Sequence, residues 1–177
     1  MSNPRQIIAT VAREYIGLRE TSKNRGPHLH EFWQATGYKD GDENREPWCS
    51  AFASFCVQEA DRRSDKIKLR VPPAFAAVVQ WHGWAKNPVN GCEVFGPGDM
   101  RKGGILKPLA GDIVSFRPKL SHIGIVVKDY DFGGYVETVE GNTNGEGSRD
   151  GDGVYEKHRA LSFCGLFIRV PAIAKAA

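Results

Sequence analysis

The sequence has none of the features that mark a membrane-spanning, secreted or nucleic-acid-binding protein, and its composition is compatible with an ordinary globular enzyme. No apolar run approaches the ~20 residues that a membrane-spanning helix needs, and Lys and Arg form no dense run in a chain whose formal net charge is only +3. The first residues contain neither the apolar stretch nor the small-residue cleavage site of a signal peptide. We therefore expect a protein made in the cytoplasm without a signal peptide, with no membrane insertion and no nucleic-acid partner.

Cysteine pairs of the kind that bind structural zinc are also missing. The four cysteines, Cys49, Cys56, Cys92 and Cys164, include no Cys-x-x-Cys pair and no tight cluster with histidine. Cys49 and Cys56 lie on one predicted helix, about 10 Å apart along its axis, which is too far for a disulfide. Reduced thiols are the expectation for this chain.

The order of apolar patterns predicts an α+β fold. Residues 1–170 of the 177 are expected to form one domain, and residues 171–177 a frayed tail. Helical spacing and capping signals predict helices over 4–16, 28–36, 47–62 and 73–84. Residues 85–110 are rich in Gly, Pro and Asn and predict an irregular segment. Five β-rich runs then predict an antiparallel sheet with the helices on one face, over 112–116, 122–128, 135–140, 154–159 and 164–170.

Residues 46–60 (EPWCSAFASFCVQEA) predict the helix on which the chemistry depends. Pro47 suits a first helical position, so Cys49 falls in the first turn, where unpaired backbone N–H groups and the helix dipole favour an anion. The thiolate is the form of cysteine that attacks a carbonyl carbon, and the Cys49 N–H is suited to an oxyanion. The alternative is a buried structural cysteine.

A cysteine nucleophile needs a base within hydrogen-bond reach and a group that orients this base. Of five histidines, only His122 opens an apolar strand, and Gly124 on the same strand face leaves room for a close approach. Glu140 ends the next predicted strand, and a carboxylate there, or the amide of Asn142, is suited to orient the imidazole. The alternatives are a structural histidine, a surface glutamate and a simple Gly-Asn turn.

Taken in order, these segments resemble the successive motifs of a CHAP domain, the cysteine, histidine-dependent amidohydrolases/peptidases of the NlpC/P60 superfamily. The motifs are residues 47–52 (PWCSAF), 111–116 (GDIVSF), 121–126 (SHIGIV) and 140–142 (EGN). The resemblance is to single-domain phage-type peptidoglycan hydrolases, and it implies a papain-like core and cleavage of an amide bond in peptidoglycan. By position, it implies Cys49 as nucleophile, His122 as general base and Glu140 as orienting carboxylate, with Asn142 in support.

No cofactor is required by this chemistry, but calcium is an open question. Oxygen-bearing side chains alternate at Asp40, Asp42, Asn44 and Glu46, as in a calcium loop. The resemblance places a calcium site of some family members here, although Ala51 stands where those members have a further carboxylate. A solvated acidic turn is the alternative. Trp48, next to the nucleophile, is the expected aromatic contact for substrate.

Two biological settings follow from the resemblance. A phage endolysin released by a holin and a secreted antibacterial effector would both reach the wall without a signal peptide, and an effector would have an immunity protein as partner. We expect a monomer that acts on peptidoglycan, as an N-acetylmuramoyl-L-alanine amidase or as an endopeptidase of stem or cross-bridge peptides. The alternatives are a papain-like protease or deamidase acting on a protein, and a non-catalytic binding module.

Overall fold

The computed structural model describes residues 3–64, 67–72, 74–100, 106–117, 119–146 and 151–174. The helices within these residues are α1 (Pro4–Glu14), α2 (Leu29–Gln34), α3 (Cys49–Arg63) and α4 (Val78–Lys86). The strands are β1 (Ile67–Leu69), β2 (Glu93–Phe95), β3 (Ile113–Phe116), β4 (Ile123–Val126), β5 (Tyr135–Thr143), β6 (Gly153–Ala160), β7 (Cys164–Arg169) and β8 (Ala172–Ala174). None of the described helices has the length and apolar character needed to cross a membrane.

The main sheet has six strands in the order β2-β7-β3-β4-β5-β6. All neighbouring pairs are antiparallel, so the predicted α+β class with an antiparallel sheet is confirmed. The five predicted strands correspond to β3–β7, and β5 follows β4 in the antiparallel pairing that the sequence predicted. The sixth strand, β2, lies in the segment that the Gly- and Pro-rich composition had marked as irregular.

Helices α1 and α3 pack together against the sheet because each has an apolar face. Asn3 caps α1 by accepting a hydrogen bond from the Arg5 backbone N–H, and Pro4 takes the first helical position. Buried side chains from both helices share one core with β4 and β5, among them Val11, Phe52 and Val139. The start of α3 is held by its serines, since the Ser50 and Ser54 hydroxyls both donate to the Phe75 carbonyl. The helix layer thereby fixes where α3 begins relative to the sheet.

Several predicted boundaries are wrong for local reasons. Helix α3 begins at Cys49 with Trp48 as its N-cap, so Pro47 precedes the helix instead of opening it. Helix α4 begins at Val78, because the Gln80 side chain accepts from the Ala76 and Ala77 N–H groups and caps the helix there. Pro73, where this helix was expected to begin, lies outside the described residues.

The C-terminal residues also differ from expectation. Residues 172–174 were expected to belong to a frayed tail, but they pair with β1 as the antiparallel strand β8. Residues 175–177 of the expected tail lie outside the described part of the chain. The short pair β1-β8 was missed because three-residue strands carry too little periodicity to be recognised.

A buried ion pair joins Arg169 of β7 to Asp112, the residue immediately before the neighbouring strand β3. The Arg169 guanidinium donates to both carboxylate oxygens of Asp112, with Nε to Oδ1 at 2.9 Å and Nη2 to Oδ2 at 2.8 Å. Asp112 is fully buried. Burial raises the pKa of the Asp112 carboxyl, and the hydrogen bonds from Arg169 oppose this rise. A planar guanidinium is suited to such a two-point contact with a carboxylate.

Candidate active site

Cys49 is the first residue of α3 and lies almost fully inside the protein, with 5% of its surface exposed. The described residues contain no disulfide at this cysteine. Its neighbours Pro47 and Ser50 line a groove of about 490 Å³ that reaches Cys49. The other walls of the groove are mainly apolar and include Trp33, Tyr38, Val78, Val79 and Leu120. A thiol at the base of this groove is accessible to a ligand from one side.

His122 lies immediately before β4, opposite the start of α3. The imidazole stacks on the Phe116 ring, with 5.6 Å between ring centroids and 28° between planes. Its Nε2 and the Glu140 Oε2 lie 2.9 Å apart. The other nitrogen, Nδ1, is buried and has no hydrogen-bond partner among the described residues. The Cys49 side chain interacts with the same imidazole, so Nδ1 is the nitrogen left for the thiol.

Glu140 lies inside β5, three residues before the end of that strand, and its carboxylate is completely buried. Gly124, on the adjacent strand β4, makes room for it: a Cβ at this position would lie 2.6 Å from the Glu140 Cγ. The close approach expected at Gly124 is therefore confirmed, and the approaching group is the carboxylate side chain. The expectation that Glu140 ends its strand is wrong, because β5 continues to Thr143.

The charges of this cluster are set by burial and by hydrogen bonds. Burial alone would lower the pKa of His122, but interactions with Cys49 and Glu140 outweigh it and raise the pKa to about 9. Burial alone would raise the pKa of Glu140, but hydrogen bonds from Arg159 and His122 lower it to about 2. At neutral pH the arrangement therefore combines an anionic Glu140 with a cationic His122 next to the Cys49 sulfur.

Asn142 occupies an irregular position at the end of β5. The pairing of β5 with β6 changes register between Glu140 and Thr143, as a β-bulge does. Asn142 is buried there with a left-handed backbone, φ 54°. The hydrogen bond that the structure shows at His122 Nε2 is with the Glu140 carboxylate.

Trp48, which was expected to contact substrate, has a fully buried side chain. The indole N–H donates to Glu20 Oε1 at 2.7 Å, and the ring stacks on Phe32 with 5.7 Å between centroids. Its other side packs closely on Gly141, where a Cβ would lie 2.7 Å from Trp48 Cζ3. Trp48 thus supports the backbone that follows Glu140, and the aromatic side chains of the groove are Trp33 and Tyr38.

The loop 40–46, where calcium was an open question, does not gather a set of metal-ligand side chains. Within the described residues, no three His, Cys, Asp or Glu side chains come close enough together to hold a metal ion. The carbonyls that calcium would need already accept hydrogen bonds: Arg25 donates to the carbonyls of Asp42 and Glu43, and Asn24 donates to that of Arg45.

Two side chains of the loop, those of Asp42 and Asn44, contact other protein groups. His30 Nδ1 lies 3.4 Å from Asp42 Oδ2, and the Asn44 amide donates to the Tyr38 hydroxyl. Asp42 Oδ1 is buried and has no hydrogen-bond partner among the described residues.

Three residues of the cluster were missed by the sequence reasoning. Arg159 and Thr138 both donate to Glu140 Oε1 at 2.7 Å, and Phe116 stacks on His122. Thr138 was within reach of sequence reasoning, because it lies two residues before Glu140 on the same strand face. Arg159 was not, because its place relative to Glu140 depends on the bulge in β5.

Comparison with known proteins identifies one family. The family model of the CHAP domain matches residues 40–142, which is more than half of the chain and runs from the acidic loop through Asn142. Searches of curated proteins and of solved structures find no match.

Proposed function

This chain belongs to the CHAP domain family, and from that membership we propose that it cleaves an amide bond of bacterial peptidoglycan with Cys49 as the nucleophile. The family comprises hydrolases of the peptidoglycan amidase and peptidase type, and this membership supports peptidoglycan as the proposed substrate. The observation that supports the cysteine mechanism is the cluster of Cys49, His122 and Glu140, in which a thiol, an imidazole and a buried carboxylate follow one another.

The proposed first step is acyl transfer to the sulfur. The proton of the Cys49 thiol lies on His122 Nδ1, which makes the imidazole cationic, and the Cys49 thiolate attacks the carbonyl carbon of the scissile amide. The negative charge that develops on the carbonyl oxygen is stabilised by the Cys49 backbone N–H at the start of α3, where helical N–H groups have no intrahelical partner. His122 then protonates the leaving amine, the C–N bond breaks, and a thioester to Cys49 remains.

The second step is hydrolysis of the thioester. His122, now neutral, takes a proton from water, and the resulting hydroxide attacks the thioester carbonyl. The C–S bond breaks, the Cys49 sulfur leaves as thiolate, and the carboxylic acid product departs. Glu140 does not change its protonation state in either step; it holds the imidazole ring and stabilises its cationic form, as the third member of a triad does. No step requires a metal or another cofactor, and we propose that none is used.

The groove at Cys49 supports a peptide as the bound part of the substrate. Its apolar walls suit short aliphatic side chains such as alanine, while Lys119 and Glu46 supply one charge of each sign at its edge. We retain both reaction types, the N-acetylmuramoyl-L-alanine amidase and the endopeptidase. We also retain both settings, the phage endolysin and the antibacterial effector acting outside the cytoplasm as a monomer.

The test is digestion of purified peptidoglycan, with the released fragments identified by mass spectrometry. Wild-type protein is compared with Cys49→Ala and with the matched control Cys92→Ala, which removes a partly buried thiol whose pKa is raised to about 11 by burial. We expect fragments from wild type and from Cys92→Ala, and a loss of at least about 10⁴-fold for Cys49→Ala.

The fragment masses separate the two reaction types. Intact stem peptides freed from the glycan indicate an amidase, and internally cut peptides indicate an endopeptidase. If wild type is inert on several wall types, with calcium and with EDTA, the peptidoglycan proposal fails, and protein substrates of a papain-like protease or deamidase become the next candidates. Equal activity of wild type and Cys49→Ala would instead refute the cysteine mechanism.

A further inference from the structure

The Glu140 carboxylate accepts hydrogen bonds from three side chains, of which the proposed mechanism uses only one. Oε2 faces His122 Nε2 at 2.9 Å, and Oε1 accepts from the Thr138 hydroxyl at 2.7 Å. The Arg159 guanidinium contacts both oxygens, with Nε to Oε1 at 2.7 Å and Nη2 to Oε2. A carboxylate with a planar two-point contact of this kind has a fixed plane as well as a fixed position.

We propose that Arg159 is a positioning residue of the hydrolase, which holds the buried Glu140 carboxylate ionised and in the orientation that His122 requires. The proposal rests on the proposed function, because it assigns Arg159 a role in the same cluster. Its physical basis is that an ionised carboxylate buried without a cationic partner is strongly disfavoured. Glu140 is fully buried. Without Arg159, the countercharge in contact with Glu140 would be the imidazolium of His122, and this charge is lost each time His122 gives up its proton.

The place of Arg159 in the sheet explains why a long side chain is needed. Arg159 lies on β6 opposite Val136 of β5, whereas Glu140 lies opposite Tyr155. The side chains of Val136, Thr138 and Glu140 lie on one face of β5, because every second residue of a strand points to the same face. The Arg159 side chain therefore runs along this face from the level of Val136 to the level of Glu140. A much shorter polar side chain at this position, such as serine or asparagine, would not reach Glu140.

The guanidinium is also held from the side by two aromatic rings. Its centre lies 5.2 Å from the centroid of Phe116 and 5.4 Å from that of Phe163, and these two rings stack on each other. Phe116 in turn stacks on His122. Arg159 is therefore connected to the imidazole by two routes, one through the carboxylate and one through Phe116. Lysine would keep the charge but lacks the planar group that suits both contacts.

The experiment compares Arg159→Met, Arg159→Lys and the matched control Arg63→Met. Arg63 donates to Glu14 and Glu59 on the helical side of the protein, so its replacement removes an arginine ion pair that has no contact with the cluster. The measurements are kcat and KM for release of peptidoglycan fragments between pH 5 and 9, and the melting temperature of each variant.

For Arg159→Met we expect kcat to fall by about 100-fold with little change in KM. We also expect its activity on the acidic side to be lost at a higher pH than in wild type, because Glu140 then binds a proton more readily. Arg159→Lys should recover part of kcat, and Arg63→Met should retain the wild-type profile. The proposal is overturned if Arg159→Met changes only the melting temperature, with kcat per folded molecule and the pH profile equal to those of wild type.

A second measurement needs no substrate and separates this proposal from the proposed function. Iodoacetamide alkylates the Cys49 thiolate, whose formation depends on an oriented, cationic His122. We expect Arg159→Met to slow alkylation of Cys49 at pH 6 by about tenfold relative to wild type and Arg63→Met, with modification of Cys49 identified by peptide mass spectrometry. An unchanged or faster alkylation refutes the positioning role. If wild type cleaves no peptidoglycan while alkylation slows as expected, the substrate assignment fails and the role of Arg159 stands.

Discussion

Replacing Gly124 by alanine should separate Glu140 from His122 without removing any polar group of the cluster. The added Cβ would lie 2.6 Å from Glu140 Cγ, and 3.3 Å from both Phe116 Cε2 and the Val139 carbonyl oxygen. Carbon atoms in contact lie about 3.5–4.0 Å apart, so Glu140 or β4 must move by about 1 Å. Because Phe116 Cε2 and the Val139 carbonyl oxygen also lie close to the added Cβ, we expect the Glu140 side chain to be the group that moves.

Such a movement has two measurable consequences. Overpacking of this kind costs about 1–3 kcal/mol in the free energy of unfolding, and a displacement of about 1 Å at the reacting groups lowers activity by about 100-fold. The distance between His122 Nε2 and Glu140 Oε2, now 2.9 Å, would leave the range of a hydrogen bond. The assays are urea unfolding followed by circular dichroism, and the rate of clearing of a peptidoglycan suspension.

The matched control is Gly83→Ala. Gly83 is exposed in α4, and an added Cβ there meets nothing within 4 Å. Because alanine is the better helix former, by roughly 1 kcal/mol, this variant should be as stable as wild type or more stable, with unchanged activity. Wild-type stability and activity in Gly124→Ala would refute the inference that this glycine makes room for Glu140. A loss of stability without a matching loss of activity per folded molecule would show that the close approach matters only for packing.

Three further predictions concern pH, the buried ion pair and calcium. Activity should fall as pH rises through about 9, because His122 then loses the proton it delivers to the leaving amine. Since its pKa is raised from 6.5, the contribution of His122 to stability is fully present below pH 6.5 and is lost as pH rises through about 9, which urea unfolding across this range would measure. Arg169→Ala should lower the free energy of unfolding by about 3–5 kcal/mol, because it leaves Asp112 buried without its partner. Addition of calcium or EDTA should leave the melting temperature and activity unchanged, whereas Arg25→Ala should lower the melting temperature by removing donors to the loop carbonyls.

Each of these predictions has an outcome that contradicts it. A decline of activity centred near pH 6.5 would mean that Cys49 and Glu140 do not stabilise the imidazolium. An Arg169→Ala variant as stable as wild type would mean that Asp112 finds another partner or a solvated position. A rise in melting temperature with micromolar calcium, abolished by Asp42→Asn, would establish a cation site at the loop.

The sequence was sufficient to place the cluster residues on their elements, for reasons that are local. Cys49 begins a helix because Phe52, Cys56 and Ala60 repeat at helical spacing behind it, and His122 opens a strand because the four residues after it are apolar or glycine. Both patterns involve residues close together in the chain, so they can be recognised without knowing the tertiary structure. The order of these segments along the chain then carried the family resemblance, which the match over residues 40–142 supports.

Features that depend on side-chain direction or on strand register were beyond the sequence. Trp48 adjoins Cys49 in the chain, but it is the N-cap and its backbone is not helical. Its ring therefore points inward, where the indole N–H donates to Glu20. The choice between Glu140 and Asn142 depended on the bulge that follows Glu140. The contact of Arg159 with Glu140 depends on the same register, because one residue more or less in β5 would move the carboxylate to the other face.

The proposed nucleophile and its proposed base lie in different layers of the fold. Cys49 is fixed to α3, whereas His122 and Glu140 are both fixed to the sheet, and the two layers meet through an apolar interface that includes Phe52, Ile125 and Val139. If α3 slides along the sheet, the separation of sulfur and imidazole changes by a comparable amount, while the imidazole and the carboxylate keep their spacing. The rate of catalysis therefore depends on the position of α3 relative to the sheet. As the protein is warmed or its core residues are substituted, catalysis should decline before circular dichroism detects any loss of secondary structure.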